Sequence, residues 1–198
     1  MRMKHGFEYR IISPVKVFKF LGIYFDQNLT FKHHTSYLTN RLSQVASMLY
    51  SIRNFLPAFI QRILYFTHVN SILSYCITIW GGTKQTHLNS LILVQKRIIR
   101  IINNAGFREH TRPLFKTSKI LNVGDLYKYI LLQDYFKTIQ QNRNHPRVRH
   151  NYLTRNRHIL NPDRHKRSIF ESSFMYRGPK SFNSLPLRIQ SKQTHRGT

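Results

Sequence analysis

Val17-Phe18-Lys19-Phe20-Leu21-Gly22-Ile23-Tyr24-Phe25-Asp26 is a run of β-branched and aromatic residues with one glycine inside it. It reads as a β-strand that ends in a turn. Just before it, Tyr9-Arg10-Ile11-Ile12 and Val15-Lys16-Val17-Phe18 flank Ser13-Pro14, a pair that marks the turn of a hairpin. Gly22 within the second run signals a bulge or the close approach of another backbone. Beyond Asp26 the apolar period changes from two to three and four, so a short hairpin is expected to lead directly into helices.

Thr30 is placed to cap a helix running to about Arg53. Along it Leu38, Leu42, Val45, Leu49 and Ile52 repeat at alternating spacings of four and three, a single seam. Pro57 suits the first turn of a second helix. Ile60, Ile63, Leu64, Ile72, Cys76 and Ile79 give this helix a wide apolar arc as far as Gly81-Gly82. Such a helix is central, and any part of it left uncovered favours self-association. Thr86 can cap a third helix with Leu88, Leu91, Ile92, Gln95, Ile98, Ile99 and Ile102 inward and Lys96, Arg97 and Arg100 outward. A short helix is expected within 113–121, and Asp125 can cap a fourth that reaches about Gln141.

Composition narrows the function. The 198 residues are 41% hydrophobic and 13% aromatic, enough for one core with a tail. Lys and Arg number 32 against 7 Asp and Glu, a formal net charge of +25. Self-repulsion of that size works against compaction, and a polyanion offsets it. Nucleic acid is the expected partner, with an anionic membrane surface as the other candidate. Residues 142–168 hold eight Lys or Arg against one Asp. There Arg143, Arg147, Arg149, Arg155, Arg157, Arg164, Lys166 and Arg167 are interleaved with Tyr152 and few apolar side chains. This segment reads as irregular and as a binder of RNA or DNA. Engaging ~6 phosphates would give a log–log salt slope near ~−5 on duplex DNA.

Several chemistries lack their residues. Cys76 is the only cysteine, so neither an intrachain disulfide nor a Cys-rich zinc site is available; in its apolar stretch it reads as a buried free thiol. His33-His34, His145, His150, His158 and His165 show no HExxH spacing and no nearby carboxylates, so no metal site is expected. No Gly-rich phosphate loop and no nucleophile elbow occur. The seven acids are Glu8, Asp26, Glu109, Asp125, Asp134, Asp163 and Glu171, no two adjacent. Two-metal phosphoryl transfer needs clustered carboxylates to hold two Mg²⁺ ~4 Å apart. Met1 to Glu8 has no apolar core of a signal peptide. The apolar stretch Val69 to Trp80 falls short of the ~20 residues that span a bilayer. A nuclear or cytoplasmic protein is expected, neither secreted nor in the membrane.

The order of short motifs is more specific than any one of them. Phe20-Leu21-Gly22 and Asp26 precede Leu29-Thr30-Phe31-Lys32; Leu56-Pro57, Tyr75, Trp80-Gly81, Leu91, Gln95-Lys96-Arg97 and Arg100-Ile101-Ile102 follow. Then come Arg112-Pro113-Leu114-Phe115, Ile120-Leu121, Asp125-Leu126, Thr154-Arg155 and Gly178-Pro179-Lys180-Ser181-Phe182-Asn183-Ser184-Leu185-Pro186. Over about residues 15 to 189 this succession resembles the C-terminal part, thumb and downstream, of non-LTR (LINE-type, Jockey- or CR1-like) retrotransposon reverse transcriptases. The family commonly has Trp where this chain has Phe182, which remains aromatic.

The resemblance implies a mainly α fold: a primer-grip-like β-hairpin over 1–28, with Phe20, Leu21 and Gly22 as its grip residues, and a thumb-like helical bundle over 29–141. A basic irregular segment over 142–168 and a short docking segment with a tail over 169–198 complete the expected division. It also implies a fragment of an RNA-directed DNA polymerase whose catalytic carboxylates, in a Tyr-x-Asp-Asp palm motif, lie upstream. The fragment would bind template–primer nucleic acid (RNA, DNA or hybrid duplex) non-specifically and have no polymerase activity alone. It would need no cofactor, although the full-length family enzyme uses Mg²⁺. The missing palm and fingers would be further partners. The alternative is a basic RNA-binding structural protein unrelated to transposition.

Overall fold

The computed structural model describes residues 2–5, 8–11, 14–141, 160, 162 and 165–192. The Arg-rich residues Arg143, Arg147, Arg149, Arg155, Arg157 and Arg164 lie outside them. The described chain is mainly helical behind a short N-terminal hairpin, as expected.

Strands β1 (Arg2–His5) and β2 (Glu8–Ile11) pair antiparallel. Strands β3 (Val17–Phe20) and β4 (Ile23–Asp26) form a second antiparallel pair in which Phe20 faces Ile23 and Val17 faces Asp26. The turn between β3 and β4 is therefore at Leu21-Gly22; Ser13 of the expected Ser13-Pro14 turn lies outside the described residues, and the strands expected to flank it pair elsewhere, β2 with β1 and β3 with β4. Leu21 at φ 45° and Gly22 at φ 82° are both left-handed. A two-residue loop of that hand matches the right-handed twist of its strands, whereas proline has no N–H for a ladder. The Tyr75 hydroxyl donates to the Leu21 carbonyl at 2.7 Å and holds the tip of the turn.

Asp26, at the end of β4, organises the entry to the first helix. Its carboxylate accepts from the backbone N–H of Asn28 (3.2 Å), Thr30 (3.0 Å) and Phe31 (2.8 Å) and from the Thr30 hydroxyl (3.1 Å). Helix α1 (Lys32–Ile52) then starts after Phe31, itself at φ 54°. Asp26 holds the loop ahead of the helix, where Leu29 and Phe31 are left-handed, and the hydroxyl of the expected Thr30 accepts at 3.5 Å from the N–H of Lys32, the first residue of α1. Burial alone would raise the Asp26 pKa, but these hydrogen bonds outweigh it and hold the group below the usual carboxylate range. A folded-state value below the unfolded one stabilises the protein fully above the unfolded pKa of about 4 and loses that stabilisation as pH falls through the folded value. The urea midpoint of Asp26→Asn is thus expected to lie below that of the parent at pH 6, with the gap closing below about pH 4. A gap of constant size across that range would contradict the assignment.

α1 buries His34, Thr35, Leu38, Leu42, Ala46 and Leu49, close to the expected seam, and packs mainly on α5 (Gln85–Ile102). The second helix is not continuous. It comprises α2 (Ala58–Leu64), a π-helical stretch over Tyr65–Asn70, α3 (Ser71–Ser74) and, after a break at Tyr75-Cys76, α4 (Ile77–Trp80). Cys76 stands at φ 48° in that break, half-buried rather than buried. The Trp80 indole N–H donates to the Tyr75 carbonyl at 2.9 Å, a hydrogen bond that the break makes possible. The apolar arc still goes inward where it can: Tyr65, Val69, Leu73, Ile77 and Trp80 are all core.

α5 buries Leu88, Leu91, Gln95, Ile98, Ile99, Ile101 and Ile102, and Lys84, not Thr86, precedes its first turn. A turn leads to α6 (Thr111–Thr117) and on to α7 (Val123–Gln141). At the start of α7 the Asn122 side chain accepts from the Asp125 N–H at 3.0 Å and donates to its carboxylate. Asn122 is the cap, and the expected Asp125 is the third residue of the first turn.

A 3₁₀ turn over Ser168–Ser172 precedes α8 (Phe174–Asn183) and α9 (Leu187–Lys192). The expected docking turn is thus a ten-residue helix. α8 packs on α7 by ring contacts: Phe174 and Phe182 each meet Tyr135 edge-on, with centroids 6.1 and 6.0 Å away, and Phe182 also meets Phe136 at 5.2 Å. Between them Gly178 lies on the Tyr135 ring so closely that a Cβ there would overlap it. The glycine of Gly178-Pro179 is therefore required for close approach. Asn183 exchanges two hydrogen bonds with the Leu160 backbone, at 3.0 and 2.8 Å.

Candidate nucleic-acid interface

α5 carries Gln85, Asn89, Ile92 and Lys96 at spacings of four, three and four, so they form one stripe along the helix. α6 packs beside α5 and contributes Arg112, Phe115 and Lys116, with Lys119 just beyond its end. Together with His110, Ile120, Leu121, Asn122 and Asp125 these residues line a groove of about 1040 Å³. Four of the lining side chains, Lys96, Arg112, Lys116 and Lys119, are cations at neutral pH. Asp125 is the sole acid of the lining, and it accepts from the Asn122 amide. The groove therefore combines apolar side chains with four cations and no free carboxylate in its lining, which suits a phosphate backbone.

The packing of α5 against α6 and α7 depends on Gln95. Its side chain is fully buried and completely satisfied. The amide donates to the Tyr65 hydroxyl at 2.8 Å and to the Leu121 carbonyl at 3.0 Å, and its oxygen accepts from the Val123 N–H at 3.0 Å. One side chain thus ties the π-helical stretch, the groove wall at Leu121 and the first residue of α7 to α5. Burial pushes the Tyr65 phenol up to about 12 despite this hydrogen bond.

Of the expected nucleic-acid contacts on α5, only Lys96 lines the groove. Arg97 is exposed outside its lining. Arg100 turns to the 103–110 turn, where its Nε donates to the Glu109 carbonyl at 2.9 Å. Lys166 and Arg167 are exposed ahead of the 3₁₀ turn. Sequence reasoning missed Arg112, Lys116 and Lys119, although their spacing of four and three was a readable signal for one helix face. A smaller cleft of about 420 Å³ between α7 and α8 brings together Lys128, Arg177 and Lys180.

Phe20, Leu21 and Gly22 stand at the tip of the β3–β4 hairpin, all exposed. The acids with described side chains have local partners. Asp26 and Asp125 bind the loops at helix starts, Glu109 accepts from the Gly106 N–H at 3.0 Å, Asp134 pairs with Lys137 at 3.8 Å, and Glu171 lies 3.4 Å from His165. Among the described residues no helix is long and apolar enough to cross a membrane.

These features define a basic, mainly helical protein with a phosphate-compatible groove, and its sequence relatives fit that class. The chain is similar to the RNA-directed DNA polymerase from mobile element jockey of Drosophila funebris, 29% identical over 118 residues, which is 58% of this chain and 13% of that protein. It is similar to the same polymerase of Drosophila melanogaster, 29% identical over 119 residues, 59% of this chain and 13% of that protein. The chain therefore matches only a small part of each relative's length. No family model matches the chain, and no solved structure matches it.

Proposed function

We propose that this chain is a thumb-side portion of a non-LTR retrotransposon reverse transcriptase and that its work is to hold template–primer nucleic acid. The observation that carries the reading is the convergence of Lys96, Arg112, Lys116 and Lys119 on one groove in a chain similar to jockey polymerases. Contacts of this kind go to phosphate, so they supply affinity and orientation without sequence choice. The helices over 29–141 would form the gripping unit, and the exposed Phe20-Leu21-Gly22 tip would meet the primer end or the palm that supports it. The basic residues of 142–168 would add contacts of the same type, in the nucleus or the cytoplasm.

The reacting part of the polymerase is not supplied by this stretch. Two-metal chemistry needs two or more carboxylates free to converge on Mg²⁺, and Asp26 and Asp125 are committed to helix starts. Purified chain is expected to bind duplex DNA, RNA and hybrid with similar affinity and to give no primer extension with Mg²⁺ on any template. Filter binding across a salt series should give a negative log–log slope of about 0.9 per phosphate engaged. Sustained primer extension by a clean preparation, or binding insensitive to salt, would overturn the reading.

A further inference from the structure

The groove does not account for a second surface beside it. Phe55, in the loop after α1, is 83% exposed, and on α2 Phe59 and Ile63 are 64% and 53% exposed. Phe59 and Ile63 are four residues apart on α2 and share one face, ~6 Å apart along its axis; Phe55 lies in the loop just ahead of α2 and Phe66 in the π-helical stretch just after it. Cations stand among these rings. The Arg62 guanidinium lies 5.1 Å from the Phe66 ring centre, and Arg53 lies 4.0 Å from that of Tyr50. Arg62 also donates to the Ser118 carbonyl at 2.9 Å, next to the groove residue Lys119. The aromatic stripe and the cationic groove are therefore neighbours, joined through Arg62.

We infer that this stripe is a stacking platform for the bases of single-stranded nucleic acid that continues from the backbone held in the groove. The inference rests on the nucleic-acid reading of that groove. Exposed aromatic faces flanked by guanidinium groups bind any base, because every base presents a π-face, while the adjacent cations follow the phosphates. A second copy of this chain is a poor occupant for the stripe, since each copy carries a net charge of +25. A strand of nucleic acid brings the opposite charge together with the flat apolar surface.

Stacking and phosphate contact separate cleanly in a salt titration. Oligo(dT) and a duplex of equal length are to be bound to the full chain and to Phe55→Ala/Phe59→Ala over a salt series. The variant is expected to lose about tenfold or more in affinity for oligo(dT), to bind duplex within twofold of the parent, and to keep the salt slope of both. The reason is that removing rings displaces no counterions. In a Phe59→Trp variant, oligo(dT) should quench the emission of the new exposed indole, since Trp80 is fully buried. Unchanged oligo(dT) affinity, an equal loss for strand and duplex, or unquenched emission would overturn the platform. So would sedimentation in which the parent self-associates and the double variant does not. If duplex binds with the expected slope but the rings do not matter, the platform alone fails; if neither ligand binds, the groove reading fails with it.

Discussion

Gln95→Leu is expected to destabilise the protein by about 3 kcal/mol, because it strands several buried polar groups at once. The Tyr65 hydroxyl loses its donor, the Leu121 carbonyl loses its partner, and the Val123 N–H loses its acceptor. Leucine fills a similar volume, so the loss measures hydrogen bonding rather than a cavity. With a urea slope of about 2 kcal/mol/M for a domain of this size, the midpoint should fall by roughly 1.5 M. Tyr65→Phe is the control. It removes one hydroxyl and leaves the other two bonds of Gln95 intact, so its cost should be about 1 kcal/mol. Equal effects of the two variants would show that Gln95 does not tie the α6–α7 link to α5.

The second large effect concerns binding. Replacing Arg112, Lys116 and Lys119 together by glutamine should make the log–log salt slope on duplex DNA shallower by about 3 and lower affinity by about three orders of magnitude at 50 mM salt. All three side chains line the open groove, and two of them are in the exposed part of α6, so the urea midpoint should barely move. Arg97→Gln and Arg100→Gln serve as comparisons. Arg100 is engaged with the Glu109 carbonyl, so its loss should affect stability more than the salt slope. Electrophoretic mobility shift at several salt concentrations checks both sets. A slope unchanged in the triple variant would move the interface elsewhere.

The helices were legible because burial and periodicity are local. The α5 face from Leu88 to Ile102 and the α1 seam from Leu38 to Leu49 needed only the count of residues between apolar positions. The caps were less legible. Thr30, Thr86 and Asp125 are residue types that favour the position, but Asp26 gathers three N–H groups of the loop ahead of α1, and Asn122 rather than Asp125 accepts from an N–H at the start of α7. The pairing of the strands was less legible for a similar reason. Ser13-Pro14 has the stronger turn composition, whereas Leu21-Gly22 has the hand that fits a twisted ladder and is held by Tyr75, 54 residues away. The second helix read as one piece because its apolar pattern continues through a stretch where the backbone does not.

The candidate site was legible only in part. Lys96 was visible as an outward charge on a helix, and so were Arg97 and Arg100. Which of them share a surface with Arg112, Lys116 and Lys119 depends on how the chain reverses between Ile102 and Thr111. That reversal is fixed by Asn104 at φ 49°, by the Arg100 bond to Glu109 and by the Ser118 hydroxyl on the Asn103 side chain at 2.9 Å. None of these is periodic.

By itself the sequence determined that the chain is helical behind a short hairpin, strongly basic, and similar in motif order to one family of polymerases. Those properties follow from composition and from spacing within one element. Only the tertiary structure decided that Gln95 is a buried tie, that four cations from two helices and the segment after them converge on one groove, and that the aromatic stripe of α2 lies beside it. The physical reason is that charge and apolar period act along the chain, whereas a groove is made by side chains from separate elements whose distances are set by packing and by long-range hydrogen bonds such as Arg62 to Ser118.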